Sequence, residues 1–411
     1  MSKEKILVIA VKMPEDDKRR FQSSLDELTS LSETAGGSVE KIITQNRSNI
    51  HPAFYIGEGK INEIKQKVDE LDIDLLISND ELSPGQIRNL NNRLGIPIID
   101  RSQLILDIFA QRAHTKEGQM QVELAQLEYL LPRLHGKGTE LSRLGGGIGT
   151  RGPGETKLET DQRHIRRRIQ DIKRRLKMVV KQREQYRKRR KANDIFQIAI
   201  VGYTNAGKST LFNRLTASES LEENKLFATL DPLTRKIQLP SGFQTLVTDT
   251  VGFIQELPTT LIAAFHSTLE EVTEADFILH VVDASHFDIE QHQETVIELL
   301  NDLRASHIPV LTVYNKRDLL DKELIPMQYP YIFMSAFNKN DIDQLKIKIE
   351  SILKEHWDQF IIELNPTEGN TLYRLKNETI IVDKKYDENK NKYIIQGFMR
   401  KEHPLKYLIK E

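Results

Sequence analysis

The stretch Gly202-Tyr203-Thr204-Asn205-Ala206-Gly207-Lys208-Ser209 matches the G-x-x-x-x-G-K-[ST] pattern of a phosphate-binding loop. An apolar run of strand length, residues 196–201, precedes it, and residues 209–215 have the pattern of a helix start. Glycines let the backbone fold around phosphate oxygens, so that N–H groups and the positive end of the helix point at the anion. The stretch predicts a nucleotide site on an α/β sheet; the alternative is a glycine turn before an ordinary helix.

Three side chains of this loop have predicted roles. Lys208 would reach the β- and γ-phosphates, and the Ser209 hydroxyl would bind Mg²⁺. Asn205 occupies the position where some GTPases hold K⁺ against the phosphates; the alternative is an asparagine that only stabilises the loop. The predicted nucleotide-binding residues of the loop are Gly202, Tyr203, Thr204, Asn205, Ala206, Gly207, Lys208, Ser209 and Thr210.

Downstream, Asp249-Thr250-Val251-Gly252 follows the end of an apolar run and matches D-x-x-G, which contacts the γ-phosphate. Asp249 would hold Mg²⁺, usually through water, and the Gly252 N–H would contact the γ-phosphate. Phe253 follows, where many GTPases carry the glutamine that orients the attacking water. Because phenylalanine cannot hydrogen-bond water, we predict slow intrinsic hydrolysis that a partner or a monovalent cation must stimulate.

Two further motifs concern the base. Asn315-Lys316-Arg317-Asp318 follows the apolar run 310–314 and matches N-K-x-D. A carboxylate at Asp318 accepts from both N1–H and the 2-amino group of guanine, and adenine offers neither. Ser335-Ala336-Phe337 follows another short apolar run, and we predict that its backbone N–H groups meet the guanine O6.

A polar segment, Phe227-Ala228-Thr229-Leu230-Asp231-Pro232, lies between the phosphate loop and D-x-x-G and is predicted to be a mobile switch. We predict that Thr229 completes Mg²⁺ coordination when the γ-phosphate is present; Thr234 is the second choice, and a turn or cap threonine is the alternative. The predicted catalytic residues are Asn205, Lys208, Thr229 and Gly252, and the predicted metal ligands are Ser209, Thr229 and Asp249.

Composition limits the remaining possibilities. With 411 residues, the chain is expected to form two to four domains. No apolar run approaches the roughly 18 residues of a membrane span. Cysteine is absent, which excludes disulfides and thiolate metal sites and fits a reducing cytoplasm. We expect a cytoplasmic protein that is monomeric when free.

The net charge of −1 hides a segregation of charge. Residues 163–191 hold 15 Lys or Arg against Asp171 and Glu184, a net +13, so the rest of the chain carries −14. A solvated helix face is the usual explanation of a charge run, but one dominant sign favours an RNA partner. Aromatic residues are scarce here, which favours contact with the backbone of structured RNA. The predicted RNA-binding residues are Arg143, Arg151, Lys157, Arg163, Arg166, Arg167, Arg174 and Arg175.

The predicted fold class is α/β with four parts. Residues 1–113 alternate strand and helix patterns, residues 114–194 form an antiparallel helical hairpin with a glycine-rich basic loop, residues 195–356 form a P-loop GTPase domain, and residues 357–411 form a small α+β appendage. The apolar seam of the first hairpin helix is Met120, Leu124, Leu127, Leu131 and Leu134, and that of the second is Ile165, Ile169, Ile172, Leu176 and Val179. Gly57-Glu58-Gly59-Lys60 is either a plain turn, which we favour, or a second phosphate-binding turn.

The chain resembles the HflX family of translation GTPases. The resemblance rests on FYIGEGK (54–60), LSPGQIRNL (82–90), residues 100–134, GGGIGTRGPGETKLETD (145–161), GYTNAGKST, FATLDPLTR, DTVGF and NKRD. Leu233 departs from the threonine that the family usually shows, and the last 55 residues match poorly. The resemblance implies a cytoplasmic protein that binds the large ribosomal subunit, with its N-terminal region and glycine-rich loop directed toward the peptidyl-transferase region. It also implies that the GTP-bound form splits stalled or idle ribosomes under stress.

Two main hypotheses follow for this chain. The first is a GTP hydrolase that splits ribosomes, in which GTP orders Thr229 and Gly252 and hydrolysis releases the protein. The second is an RNA-binding assembly or storage factor in which GTP only gates docking. A third, an adenine-nucleotide enzyme, is disfavoured by Asp318.

Overall fold

The computed structural model describes residues 3–134, 157–192, 195–216, 226–227, 229, 231–254, 271–320 and 323–409, without the side chains of 157–159, 184 and 186–192. These residues form two compact units. The first holds residues 3–134 and 157–180 together with Leu226, Phe227 and Thr229, and the second holds the described residues from 181 onward apart from those three. Among the described helices, none is both long enough and apolar enough to cross a bilayer.

The first unit contains a parallel four-stranded sheet of order β2-β1-β3-β4. Its strands are β1 (Lys5–Lys12), β2 (Ser38–Asn46), β3 (Leu75–Ser78) and β4 (Ile98–Asp100), and the helices between and after them are α1 (Lys18–Thr34), α2 (Glu58–Leu71), α3 (Pro84–Leu94) and α4 (Arg101–Arg112). Residues 6–11 of β1 are all buried because helices cover both faces of the sheet. The predicted alternation of strand and helix is confirmed. Helix α3 begins with a capping box, in which the Ser83 Oγ accepts from the Gln86 N.

Two further helices follow, α5 (Lys116–Arg133) and α6 (Lys157–Ala192). The predicted seam of α6 agrees with the structure, since Ile169 and Ile172 are buried. The predicted seam of α5 is wrong, because its five residues are only half-buried. Gly118, Val122, Ala125 and Tyr129 form the buried face instead. The small residues Gly118 and Ala125 let α5 pack closely against α4. Because the seam was predicted from large apolar side chains, these two positions were not recognised as buried.

The second unit contains a six-stranded sheet of order β10-β9-β8-β5-β7-β6. Its strands are β5 (Gln197–Gly202), β6 (Leu233–Gln238), β7 (Gln244–Asp249), β8 (Phe277–Asp283), β9 (Val310–Asn315) and β10 (Tyr331–Phe333), with helices α7 (Lys208–Thr216), α8 (Ile289–Asp302) and α9 (Lys339–His356). All neighbouring strands are parallel except β6, which pairs antiparallel with β7. The carboxyl ends of the parallel strands therefore meet at one edge of the sheet, where ligands of such sheets bind.

The C-terminal residues form a small antiparallel sheet of order β11-β13-β12, with strands β11 (Asp358–Leu364), β12 (Ile380–Asp387) and β13 (Lys392–Met399) and helix α10 (Gly369–Glu378). Trp357 packs edge-on against Phe196 and Phe243, and Ile380 is part of the core of the six-stranded sheet. Strands β12 and β13 form a hairpin that closes at the pair Asp387 and Lys392. The appendage thus shares a hydrophobic core with the nucleotide domain.

Candidate functional site

The phosphate loop joins β5 to α7 at the carboxyl edge of the sheet. Gly207 has φ +91°, and a Cβ there would lie 2.3 Å from the Asn315 Nδ2, so both conformation and space require glycine. Asn205 also has a left-handed backbone, with φ +59°. Its side chain is exposed and makes no hydrogen bond within the described residues. The loop therefore presents this amide to solvent.

Lys208 is buried at the first position of α7. Its ammonium donates to the Tyr203 carbonyl oxygen at 2.7 Å. Burial lowers the pKa of Lys208 to about 8, and the nearby Asp249 carboxylate opposes that shift. Among the described residues, the Tyr203 carbonyl oxygen is the one hydrogen-bond acceptor of this buried ammonium, so the bond can be exchanged for one to an anionic ligand.

The predicted metal ligands Ser209 and Asp249 are in contact, since the Ser209 Oγ donates to the Asp249 Oδ2 at 2.9 Å. Asp249 ends β7 and is fully buried. Both donors are oxygens, which are the ligands that Mg²⁺ prefers. A hydroxyl and a carboxylate meeting beside a phosphate loop fit a magnesium ion.

Gly252 and Phe253 lie directly against the phosphate loop. The Phe253 N donates to the Gly202 carbonyl oxygen at 3.1 Å, and the Thr204 N donates to the Phe253 carbonyl oxygen at 2.8 Å. A Cβ at Gly252 would lie 2.8 Å from both the Lys208 Nζ and the Thr204 Cγ2. Glycine is therefore required here by close approach.

Asn315 connects the phosphate loop to the base-binding loops. Its Nδ2 donates to the Ala206 carbonyl oxygen, and its Oδ1 accepts from the Ala336 N, both at 2.9 Å. It is buried, so these bonds are shielded from water. One side chain therefore fixes the distance between the phosphate site and the predicted guanine O6 site.

The neighbouring base-recognition residues are held by two carboxylates that the sequence argument missed. Asp283 accepts from the Lys316 Nζ at 2.6 Å. Asp341 accepts from the Ser335 N at 2.8 Å and from Arg317. Asp318 itself is exposed. Asp283 ends β8, so its place at the carboxyl end of an apolar run was a usable signal; Asp341 lies in a helix, and no sequence pattern marks it.

Of the predicted switch segment, Ala228 and Leu230 lie outside the described residues. Phe227 is buried and packs edge-on against Phe109 at 4.5 Å, within the first compact unit. Thr229 is half-buried. Thr234, the second choice for the Mg²⁺ ligand, lies in β6. Its hydroxyl is hydrogen-bonded at 2.9 Å to the hydroxyl of Thr248 on the neighbouring strand, a pairing that is common between strands.

The basic helix α6 divides its charges into two sets. Arg168 forms a two-point ion pair with Glu123, Lys173 pairs with Glu128, and Arg174 and Arg175 share Asp171. Arg166 and Arg167 are exposed and have no acidic partner among the described residues. Arg163 is exposed, while Arg143, Arg151 and the side chain of Lys157 lie outside the described residues.

The phosphate loop, the oxygen pair beside it and the base loops joined by Asn315 define a P-loop GTPase specific for guanine nucleotides. Family models agree with this class and divide the chain in three. Residues 22–110 match "GTP-binding GTPase N-terminal", residues 112–190 match "GTP-binding GTPase Middle Region", and residues 197–316 match "50S ribosome-binding GTPase".

Curated relatives then identify the family. GTPase HflX of Alkalihalophilus pseudofirmus is 53% identical over 395 residues, which cover 96% of this chain and 93% of the relative. GTPase HflX of Caldanaerobacter subterraneus is 50% identical, covering 93% and 88%, and that of Escherichia coli is 44% identical, covering 84% and 82%. The chain belongs to the HflX family, and it is a GTP hydrolase. The resemblance drawn from the motifs is confirmed.

Proposed function

We propose that this GTPase binds the large ribosomal subunit in the cytoplasm and uses GTP to split or recycle stalled or idle ribosomes under stress. The observation that carries the proposal is the match of residues 197–316 to the model described as a 50S ribosome-binding GTPase. The link through Asn315, with two 2.9 Å bonds between the phosphate loop and the base loop, supports a single preformed nucleotide site. We also propose that the chain forms four domains, with boundaries after residues 113, 194 and 356.

At the nucleotide site, Lys208 would bind the β- and γ-phosphates. Ser209 and Asp249 would hold Mg²⁺, joined by Thr229 in the GTP state, and the ion would supply positive charge to the phosphates. The Gly252 N–H donates to the γ-phosphate, and Asp318 selects guanine. Asn205 holds a potassium ion against the phosphates; its exposed amide in a left-handed turn supports this assignment.

On helix α6, the arginines without an acidic partner among the described residues are the ones that bind RNA. Arg166 and Arg167 are exposed and lack acidic partners in the described part of the chain, so they contact phosphates of ribosomal RNA. Arg174 and Arg175 contribute less, because Asp171 accepts from both. The description of the matched model as a 50S ribosome-binding GTPase supports the large subunit as the partner.

The experiment adds purified ribosomes and GTP to the wild-type protein and to Lys208→Ala, and measures subunit separation by sedimentation. We expect separation with the wild type and GTP, little with GDP, and none with the variant. Equal separation with GTP and GDP would remove the splitting role. Co-sedimentation with ribosomes in GDP and in a non-hydrolysable GTP analogue shows which nucleotide state binds more tightly.

The second candidate is an assembly or storage factor that binds ribosomal RNA without splitting activity. The exposed pair Arg166 and Arg167 supports RNA binding equally well for this function. It predicts GTP-dependent association with isolated large subunits and no separation of whole ribosomes. The same sedimentation experiment distinguishes the two candidates.

A further inference from the structure

Thr204, in the phosphate loop, carries a buried hydroxyl that makes no hydrogen bond within the described part of the chain. The residue is 6% exposed, and its Oγ1 has no hydrogen-bond partner among the described residues. A buried polar group without a partner destabilises the folded protein, because it has lost its hydrogen bonds to water. A group that is kept at such a cost in a ligand site is expected to find its partner in the bound state.

Other buried threonines of the same sheet show the contrast. The Thr245 Oγ1 donates to the Phe196 carbonyl oxygen at 2.8 Å, and the Thr250 Oγ1 donates to the Ile200 carbonyl oxygen at 2.7 Å. Both are satisfied by the main chain of β5 or the residue before it. Thr204 lies two residues beyond the end of β5, in the phosphate loop. No carbonyl of the described residues accepts a hydrogen bond from its hydroxyl.

The position of Thr204 places it at the γ-phosphate end of the site. Its Cγ2 and the Lys208 Nζ each lie 2.8 Å from the point where a Cβ of Gly252 would be. Lys208 is the cation for the β- and γ-phosphates, and the Gly252 N–H is the donor to the γ-phosphate. The Thr204 side chain and the Lys208 ammonium therefore both lie directly beside Gly252.

The residue that would ordinarily orient the attacking water is missing. Phe253 occupies that position, is 3% exposed, and is bonded through its main chain to Gly202 and Thr204. Its ring cannot bind water, and turning it outward would expose a buried aromatic side chain and strain two hydrogen bonds. The hydrogen bond to the water has to come from another group.

We propose that the Thr204 hydroxyl hydrogen-bonds the water that attacks the γ-phosphate and so orients it. This inference rests on the proposed function of the nucleotide site. In the reaction, the water oxygen bonds to the γ-phosphorus while the bond from that phosphorus to the β–γ bridging oxygen breaks. GDP leaves, and the protons of the water remain with inorganic phosphate and solvent. Thr204 only positions the nucleophile and gains or loses no proton overall.

The test uses the full chain and the variants Thr204→Val, which keeps the shape without the hydroxyl, and Thr204→Ser, which keeps the hydroxyl. We expect Thr204→Val to slow single-turnover GTP hydrolysis by about 100-fold, the effect of losing one well-placed hydrogen bond. Affinities for GDP and for a non-hydrolysable GTP analogue should stay within about twofold. Thr204→Ser should retain most of the rate.

A structural readout separates this role from a packing defect. Nucleotide-free Thr204→Val should melt no lower than the wild type, because the lost hydroxyl has no partner to lose. The matched control Thr245→Val removes a satisfied hydroxyl, so it should melt lower by about 2–4 °C and hydrolyse GTP at the wild-type rate. Thr204→Ala removes the same hydroxyl and replaces the valine variant if that one does not fold.

Three results would overturn the inference: an unchanged rate in Thr204→Val, a loss of rate that Thr204→Ser does not restore, or a loss of affinity for the GTP analogue as large as the loss of rate. The last would make the hydroxyl a ground-state contact of the γ-phosphate. Failure of the proposed function looks different, since ribosomes would then separate equally with GTP and with GDP, whatever the hydrolysis rates of the Thr204 variants.

Discussion

The chain contains two glycine-and-lysine turns that open helices, and only one is equipped for phosphate. In the first, the Gly57 N donates to the Gln45 Oε1 at 2.9 Å, and the Lys60 ammonium pairs with Glu63 at 2.8 Å. In the second, the Lys208 ammonium donates to the Tyr203 carbonyl oxygen and forms no ion pair within the described residues. The donors of the first turn are bonded to side chains, which supports a plain turn, whereas the lysine of the second turn has only a main-chain bond to exchange for a ligand. A phosphate site is marked by the donors it leaves available, more than by glycine spacing.

The comparison is tested most strongly by exchanging the two lysines for alanine in turn. Lys208→Ala should lower GTP hydrolysis by about 100-fold or more, because the charge that stabilises the transferred phosphoryl group is lost. Lys60→Ala should change the rate by less than about twofold, since its loss breaks only an exposed ion pair. Hydrolysis assays at saturating GTP measure both, and a large effect of Lys60→Ala would contradict the distinction.

The Asn205 side chain makes no hydrogen bond within the described residues, and Asn205→Ala tests whether its amide oxygen binds a cation. We expect turnover to fall by about 10-fold in potassium buffer and the preference for potassium over sodium to disappear, because the amide oxygen that would hold the ion is gone. Rates in matched potassium and sodium buffers measure this. A variant that still prefers potassium would show that the cation binds elsewhere or has no role.

The same distinction applies to the arginines of α6. The double variant Arg166→Ala, Arg167→Ala removes two charges that have no acidic partner in the described part of the chain. It should reduce the slope of log affinity for ribosomes against log salt concentration by about 1.5. The matched variant Arg168→Ala, Lys173→Ala removes two charges already paired with Glu123 and Glu128, so its slope should change less. Sedimentation at several salt concentrations gives both slopes, and equal changes would show that ion pairing does not decide which arginines bind.

A smaller effect concerns stability and pH. The pKa of Lys208 falls from its ordinary value of 10.5 to about 8 in the folded protein. Between these values the unfolded chain binds more protons, so the free energy of unfolding of the nucleotide-free protein rises as pH rises from about 8 to 10.5. Below pH 8 the cost of the buried charge is fully present. Lys208→Met should therefore raise the Tm at pH 7 by about 5 °C and flatten this rise.

Melting curves between pH 7 and pH 10 measure that effect, and Lys60→Met is the control. Lys60 forms an ion pair near the surface, so its variant should keep the wild-type dependence on pH. A Lys208→Met protein that melts lower than the wild type at pH 7 would mean that the bond to Tyr203 outweighs the burial of the charge.

Much of the fold could be predicted because its signals are local. The strands that lead into the motifs end within a residue or two of their predicted positions, since a buried parallel strand is a short apolar run. Strand β6 and helices α8, α9 and α10 were not predicted. The edge strand β6 has three exposed residues and lacks a continuous apolar run. The buried face of α5 was predicted wrongly because Gly118 and Ala125 have no large side chain to reveal it.

The candidate site divides in the same way. Its motifs were found because each needs a fixed sequence of a few residues for its backbone geometry. The ion pair of Arg168 with Glu123 was not found, because the two residues lie 45 positions apart and only folding brings them together. Asp341, which holds Ser335 and Arg317, was missed for the same reason.

The amino-acid sequence alone determined the chemistry of this protein: a guanine nucleotide, a phosphate loop and a basic helix are specified by short motifs and by composition. The tertiary structure decided which groups remain available for ligands. Asn315 reaches Ala206 across 109 residues of chain, and Thr204 becomes a buried, unpartnered hydroxyl only when Gly252 and Lys208 pack beside it. Hydrogen-bond satisfaction is a property of distances between residues far apart in the chain, and those distances exist only once the sheet has formed.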